Sequence, residues 1–228
     1  MKTDIILIRH GKTIGNTFGK YIGTTDEGLC DMGRQELLDF QRKGIYPEQQ
    51  EIFQIYESPM LRCSQTRELL YPLLSLEETG DERAAGKMVY QVSDLRECDF
   101  GEFENKNYKE LQGNEQYQRW IDSNGTLPFP GGESREMFIE RISMAFLWCM
   151  EDTERKWSVY QNKYKNLYKN IHKNKDRNRP KVVFVVHGGT IMALMHRFGG
   201  KDYYDCQIKN GHVLQLVYHR GILTTDTN

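Results

Sequence analysis

The sequence contains no apolar run close to the roughly 20 residues that a membrane-spanning helix needs. Its first apolar run is only four residues long before Arg9, too short for the core of a signal peptide. The five cysteines are scattered and none forms a CxxC pair, which argues against a disulfide framework and a zinc site and favours a reducing compartment. We therefore expect a cytoplasmic protein that does not bind membranes.

An excess of charge of either sign is also absent, since the formal net charge is -1. A chain without a positive excess has no general attraction for nucleic acid or anionic membranes, so any anion recognition must be local. We expect neither of these as a partner. The 228 residues are 38% apolar and 28% charged, a balance typical of a globular protein with an extensive core.

Two short stretches of the chain share one pattern, an apolar run followed by histidine and glycine. The apolar run Ile5 to Ile8 ends in Arg9-His10-Gly11, and the run Val182 to Val186 ends in His187-Gly188-Gly189. Each is typical of a buried parallel strand, and open α/β sheets bind ligands at the carboxyl ends of such strands. This shared pattern predicts that two imidazoles and an arginine meet at one edge of a sheet.

Strand and helix patterns alternate along the chain. The alternation predicts an α/β fold, a three-layer α/β/α sandwich with a largely parallel central sheet. We expect a single domain over residues 1–228. The expected strands cover residues 5–8, 52–56, 88–92, 182–186 and 213–218, and the expected helices cover residues 31–41, 61–73, 190–198 and a long stretch after residue 134.

Two segments depart from this alternation. Residues 94–134 contain many Gly, Asn and Pro turns, with one or two short helices expected around 108–111 and 117–121, and form an excursion of the kind that carries specificity. Residues 155–181 hold ten Lys or Arg residues and one acid, a local charge of +9, with apolar residues at helical spacing. This basic helical extension is either a surface for an anionic partner or substrate, or a solvated helix whose aromatic stripe packs on its own domain.

Four side chains have the chemistry of phosphoryl transfer. A neutral imidazole such as His10 is a good nucleophile towards phosphorus, and Arg9 matches the paired oxygens of a phosphoryl group. Arg62 falls in the first turn of a helix, where a cation is disfavoured unless an anion binds there. Glu97 lies in an acidic loop, and a carboxyl group near a phosphate has a raised pKa and can donate a proton.

The alternative interpretation of His10 and His187 is a metal-binding pair. A zinc site needs three or four ligands, and no third ligand adjoins either histidine. The two arginines, Arg9 and Arg62, would also repel a cation. We therefore expect no metal.

Six blocks of sequence, in order, resemble the motifs of the histidine phosphatase superfamily, the phosphoglycerate mutase-like proteins. They are Leu7 to Thr13 with Asn16, Gly23 to Asp26 with Leu29 to Gly33, Ser58 to Thr66, Leu95 to Glu102, Pro130 to Ser134, and His187 to Gly189. The blocks span most of the chain, and six in the family's order argue strongly against coincidence.

The resemblance implies a role for each matched residue. His10 would be the nucleophile and become a phosphohistidine, and Glu97 would be the general acid that later activates water. The chemistry would need no metal and no other cofactor. The implied phosphate-binding residues are Arg9, Asn16, Gly23, Arg62, His187 and Gly188.

The same family contains both mutases and hydrolases. Cofactor-dependent phosphoglycerate mutases have an adjacent arginine pair and a longer insert after the acid loop. Between Glu97 and Pro130 this chain has one arginine, Arg119, with Lys106 and Lys109. The missing pair favours a metal-independent phosphomonoesterase that acts on a small phosphorylated metabolite.

Within the hydrolases, the segment from Cys98 to Leu111 looks most similar to α-ribazole phosphatase-type members, although Asn105-Lys106 replaces the more usual glycine-containing turn. Two alternatives remain open. One is a phosphotransferase of the phosphoglycerate mutase type. The other is a non-catalytic phosphate-binding protein that acts through protein contacts, with the basic segment 155–181 as its interaction surface.

Overall fold

The computed structural model describes residues 1–74, 88–168 and 179–225. The described strands are β1 (Thr3–Arg9), β2 (Gln54–Glu57), β3 (Met88–Gln91), β4 (Lys181–Val186), β5 (Val213–His219) and β6 (Ile222–Thr224). The described α-helices are α1 (Ile14–Thr17), α2 (Asp31–Arg42), α3 (Leu61–Leu70), α4 (Glu115–Asp122), α5 (Arg135–Tyr168) and α6 (Gly188–Gly199).

The six strands form one mixed sheet in the order β3-β2-β4-β1-β5-β6. The first four of these run parallel, β5 is antiparallel to β1, and β6 is antiparallel to β5, so the predicted largely parallel sheet is confirmed. The carboxyl ends of β1, β2 and β4 consequently lie side by side. Because Arg9 pairs with Val186 in the parallel ladder, His10 and His187 leave the sheet at the same edge.

Each face of the sheet is covered by helices, which confirms the α/β/α sandwich. Successive side chains of a strand point to opposite faces. In β1, Ile5 and Leu7 join the apolar core formed with α5 and α6, whereas Ile6 and Ile8 join the core formed with α2 and α3. All four side chains are buried, so β1 lies at the centre of both cores.

One of the one or two short helices expected in the excursion is present, and the stretch around 108–111 forms a single turn that does not continue. The backbone N–H groups of Lys109 and Glu110 donate to Asn107 Oδ1 at 2.9 and 3.1 Å, which starts the turn. Gly113 then adopts a φ of 83°, outside the helical region, and ends it. The helix expected at 117–121 is present as part of α4.

The terminal strand β6 is absent from the predicted elements. It pairs with β5 through a two-residue turn in which Arg220 has a φ of 50° and Gly221 a φ of 81°. Two positive φ values are those of a type I′ hairpin turn. Arg at the first position is not a typical residue for this turn, so the sequence carries only half of the hairpin signal.

The basic segment is described up to residue 168 and again from residue 179, so its middle part lies outside the described residues. In its first turns Trp157 and Tyr160 stack on each other, and both contact Phe53, with ring centroids 4.9 and 5.7 Å away. This part of the aromatic stripe therefore packs on the chain itself. No described helix is both long and apolar enough to cross a membrane. The single-domain organisation stays a prediction.

A buried carboxylate ties α5 to β2. Asp152 accepts hydrogen bonds from Tyr56 Oη at 2.8 Å, Gln54 Nε2 at 3.0 Å and Lys156 Nζ at 2.6 Å, and it also pairs with Arg155. Burial alone would raise the pKa of Asp152, but these donors outweigh it and lower the pKa to about 2. The carboxylate therefore stays charged and fixes the helix over the sheet.

Replacing Tyr56 by Phe is expected to lower the free energy of unfolding by about 1–3 kcal/mol, because it removes one buried donor from Asp152. Urea unfolding measures the change. The matched control is Tyr108→Phe, since the Tyr108 ring is 64% exposed and its loss of a hydroxyl should have little effect. Equal stability of the two variants would contradict the role assigned to this network.

Candidate active site

A cavity of about 340 Å³ opens at the carboxyl edge of the parallel strands. Five of the predicted site residues line it, and they come from the ends of β1 and β4, from α1 and from the acid loop. They are Arg9, His10, Asn16, Glu97 and Gly188. The rest of the lining includes six aromatic side chains and comes from residues 20–22, from the 94–134 excursion, from the start of α5, from α6 and from the segment after α6. The structure thus brings most of the predicted site together.

His10 is positioned by backbone hydrogen bonds at the end of β1. Its N–H donates to Val186 O of β4 at 2.9 Å. Its Nδ1 lies 2.7 Å from Gly11 O, and a carbonyl can only accept, so Nδ1 carries the proton. Burial, with Arg62 and Arg9 nearby, holds the pKa of His10 well below its usual value. The imidazole is therefore neutral and its Nε2 has a free lone pair.

Arg62 lies behind His10 and is fully buried. Its Nη1 donates to Thr25 O at 2.9 Å, and its Nη2 donates to Gly23 O at 3.0 Å and to Ile22 O at 3.3 Å. Its Nε donates to His187 Nδ1 at 3.3 Å. Backbone carbonyls replace the hydration of this buried cation, and no carboxylate pairs with it among the described residues.

His187 is held as a neutral imidazole of defined tautomer. Since Nδ1 accepts from Arg62, Nε2 carries the proton and donates to Ser58 Oγ at 2.7 Å. Burial, followed by the effect of Arg62, keeps the pKa of His187 well below its usual value. Cys63 Sγ lies 3.7 Å from Nε2, and the His10 and His187 ring centroids are 5.1 Å apart. Neither His187 nor Arg62 is among the residues that line the cavity, and their predicted contacts with phosphate stay predictions.

Arg9, Asn16 and Gly188 do line the cavity. Arg9 Nη1 donates to Ile208 O at 2.7 Å, whereas its Nε is buried and has no partner within the described residues. A Cβ at Gly188 would lie 3.1 Å from Arg9 Cζ, so glycine leaves the room that the guanidinium needs. Asn16 Oδ1 accepts from Asn210 Nδ2 at 3.0 Å, which leaves the Asn16 amide nitrogen to donate.

Glu97 is held against the start of α6. Its Oε2 accepts from Gly189 N at 3.1 Å and its Oε1 accepts from Cys98 N at 3.0 Å. A side chain at Gly189 would collide with the carboxyl group, so glycine is required there. Burial raises the pKa of Glu97 above its ordinary value, against the opposing effect of the two backbone donors. A buried carboxyl with a raised pKa can carry a proton to a reacting oxygen.

Gly23 supports the site from outside the cavity. Its N–H donates to Glu104 Oε1 at 2.8 Å, an oxygen that also accepts from Thr25 N at 3.0 Å. Its carbonyl accepts from Arg62. A side chain at Gly23 would collide with Cys98 O, so glycine permits the close approach of the two loops. The predicted contact of Gly23 with phosphate stays a prediction, and in this arrangement the residue holds Arg62.

Several supporting residues are missing from the predicted site. Asn210 Nδ2 donates to His10 O at 3.2 Å as well as to Asn16. Arg141 donates to Glu97 O at 3.3 Å and forms an ion pair with Glu133, which itself accepts from Asp99 N at 3.0 Å. Glu133 stands in the Pro130 to Ser134 block, so a sequence signal existed for it. No local pattern marks Asn210 or Arg141.

The cations that line the cavity also differ from those considered in the sequence. Arg119, Lys106 and Lys109 are exposed and lie outside the cavity lining. Lys20 and Arg135 line it instead. Within the described residues no group of three or more His, Cys, Asp or Glu side chains is arranged to hold a metal ion. Independence from metals and cofactors stays a prediction.

Comparison with known proteins identifies relatives for most of the chain. The family model of the histidine phosphatase superfamily (branch 1) matches residues 5–226. Sedoheptulose 1,7-bisphosphatase of Saccharomyces cerevisiae is 33% identical over 110 residues, which cover 46% of this chain and 39% of that enzyme. The match thus spans well under half the length of the yeast protein.

Solved structures show the same fold. Phosphoglycerate mutase from Bacillus anthracis superposes with a TM-score of 0.68 at 22% identity, covering 100% of this chain and 92% of the other. The alpha-ribazole phosphatase from Shigella flexneri superposes with a TM-score of 0.64 at 19% identity, covering 98% and 94%. At these identities the likeness is one of fold alone, and it is shared by a mutase and a phosphatase.

The depressed pKa of His10 is expected to make stability depend on pH. Between that pKa and about 6.5 the unfolded chain binds more protons than the folded one, so the free energy of unfolding falls as the pH drops below about 6.5. The contribution of His10 approaches about 1.4 kcal/mol per pH unit. Urea unfolding from about pH 7 to about pH 5 should therefore show a steeper loss in the wild type than in His10→Gln.

The raised pKa of Glu97 acts in the opposite direction, but it is present in both proteins and does not produce the difference. The control is His196→Gln, since His196 is exposed and its replacement should keep the wild-type slope. Identical slopes for the wild type and His10→Gln would show that His10 titrates normally.

Proposed function

This chain belongs to the histidine phosphatase superfamily, and we propose that within it the protein is a metal-independent phosphomonoesterase that acts on a small phosphorylated metabolite. The reaction would pass through a phosphohistidine on His10. The observation that carries the proposal is a neutral His10 with a free Nε2, placed in one cavity with Arg9 and a buried Glu97 of raised pKa. Nucleophile, anion-binding group and proton donor are the three parts that this chemistry needs.

In the first step, His10 Nε2 attacks phosphorus and the bond between phosphorus and the leaving oxygen breaks. The proton of Glu97 passes to the leaving oxygen, so an alcohol departs. Arg9, the Asn16 amide and the backbone at Gly188 face the place where charge develops on the phosphoryl oxygens. Burial, followed by the charges of Arg62 and Arg9, keeps the nucleophile neutral.

In the second step, water attacks the phosphohistidine. Glu97, now a carboxylate, accepts a proton from that water, and the bond between phosphorus and His10 Nε2 breaks. Inorganic phosphate leaves, and both His10 and Glu97 return to their starting protonation states. No proton or electron is needed from outside this cycle, which is why we propose a reaction without a cofactor.

The finer assignment rests on the excursion and on the kinds of relatives. A phosphatase is favoured over a mutase because Glu97 to Pro130 contains no adjacent arginine pair. The α-ribazole phosphate ester is one candidate substrate, since the Cys98 to Leu111 segment looks similar to that of α-ribazole phosphatase-type members. The cytoplasm is the proposed location, on the strength of the scattered cysteines. A phosphoglycerate mutase activity and a non-catalytic phosphate-binding role are the alternatives to be tested.

Hydrolysis of p-nitrophenyl phosphate in the presence of EDTA tests the reaction. The wild type should turn over, and His10→Ala should lose activity by at least about a thousandfold because it lacks the nucleophile. His196→Ala, which removes an exposed imidazole, is the matched control and should keep wild-type activity. Equal rates for the wild type and His10→Ala would overturn the mechanism, and no turnover by the wild type would favour the non-catalytic alternative.

The proton-donating role of Glu97 predicts a dependence on the leaving group. In a first-turnover measurement, Glu97→Gln should slow release of an alkyl alcohol by about a hundredfold or more, because alkoxide is a poor leaving group without a proton. Release of p-nitrophenolate, a good leaving group, should slow much less. Glu102→Gln, an exposed carboxyl in the same loop, should affect neither. The same slowing for both esters would remove the general-acid role.

A further inference from the structure

We propose that Arg135, assisted by Lys20, binds a second anionic group of the substrate. The substrate would then be a phosphate monoester that carries another phosphate or a carboxylate. The inference rests on the proposed function, because it concerns the same cavity, and it adds a residue and a substrate class that the phosphoryl chemistry does not require.

The Arg135 side chain has no anionic partner. It lines the cavity and is half-buried, and within residues 1–74, 88–168 and 179–225 no carboxylate or carbonyl forms a hydrogen bond with its guanidinium. Its one contact of note is the Tyr203 ring, whose centroid lies 5.7 Å from Cζ. Charged groups that are partly removed from water are usually paired. An anionic group of a ligand in the cavity would supply the partner that the described residues do not.

The position of Arg135 in the fold is also unfavourable without an anion. It is the first residue of α5, a helix of 34 residues, and the positive end of the helix dipole opposes a cation. An anion bound there would be attracted both by the guanidinium and by the helix terminus. The first turn of α5 also contains Glu136, which offsets part of the dipole, and an anion in the cavity would add to that compensation on the side of Arg135.

The charges that line the cavity exceed what one phosphate monoester needs. The basic side chains are Arg9, Lys20 and Arg135, and the one acidic side chain among the described lining residues is Glu97, whose pKa is raised by burial. Arg9 serves the reacting phosphoryl group, with Arg62 behind it. Two cations remain. Lys20 Nζ donates to the neutral Asn105 Oδ1 at 3.3 Å and has no carboxylate partner within the described residues.

Aromatic side chains form part of the cavity wall to which Lys20 and Arg135 also belong. Tyr21, Trp120, Tyr203 and Tyr204 line the same cavity. Rings of this kind exclude water and lower the local dielectric constant, so a charge–charge attraction is stronger there than at an open surface. A neutral leaving group would leave Arg135 in this environment without compensation. An anionic one would supply the compensation.

Two pairs of esters test the proposal, each pair sharing its reacting phosphate. In the carboxylate pair, 3-phosphoglycerate is compared with glycerol 3-phosphate. In the phosphate pair, fructose 1,6-bisphosphate is compared with fructose 1-phosphate. The wild type should prefer the more anionic member of at least one pair by about tenfold or more in kcat/KM, the range expected of a charge-assisted hydrogen bond. The pair that responds identifies which anionic group Arg135 binds.

Two substitutions at Arg135 then separate charge from shape. Arg135→Gln should reduce the preference at least about fivefold, mainly through KM, since it removes the positive charge. Arg135→Lys keeps the charge and should retain most of the preference. The matched control is Arg119→Gln, because Arg119 is an exposed arginine outside the cavity lining and its loss should leave the preference at the wild-type value.

A wild-type preference near one in both pairs would overturn the proposal while leaving the phosphatase function intact. A loss of preference in Arg119→Gln equal to that in Arg135→Gln would also overturn it. If the wild type hydrolyses neither these esters nor p-nitrophenyl phosphate, the proposed function fails instead. Calorimetric binding of fructose 1,6-bisphosphate and fructose 1-phosphate then decides: a preference for the bisphosphate that Arg135→Gln loses supports the inference, and equal affinities overturn it.

Discussion

The burial of the Arg62 guanidinium is the constraint on which the rest of the site depends. A cation that has lost its hydration needs other hydrogen-bond acceptors. Here they are backbone carbonyls of residues 22–25 together with His187 Nδ1. These bonds hold the loop against α3 and decide the tautomer of His187. After burial, the charge of Arg62 is the next largest cause that lowers the pKa of His10, so a residue outside the cavity lining helps to keep the proposed nucleophile neutral.

The features that could be predicted from sequence are those with a local cause. The runs before His10 and His187 are apolar without interruption because both faces of their strands are buried, and each histidine stands where its strand ends. The packing of loops has no such pattern. Gly23 and Glu104 are 81 residues apart, and their hydrogen bond depends on two loops meeting at a glycine. Arg135 is likewise adjacent to a recognised motif, but only the start of α5 places it in the cavity.

The proposed chemistry and the proposed selectivity belong to different parts of the fold. The ends of β1 and β4 and the acid loop supply the groups that we propose to react, and the parallel register of β1 and β4 brings the first two of these together. The excursion, the start of α5 and the segment after α6 supply most of the remaining wall. A fold shared with both a mutase and a phosphatase is consistent with this division, because the sheet edge can stay constant while the wall around it changes.

The reactivity of the Cys63 thiol can report local opening of the structure beneath the site. The Cys63 side chain is fully buried against His187, so a reagent has no path to it while α3 stays packed on β4. Burial also raises the pKa of the thiol, so the reactive thiolate is scarce. Alkylation of the native protein at this position therefore requires a transient opening. The rate of alkylation would therefore report how often the packing of α3 behind His10 opens.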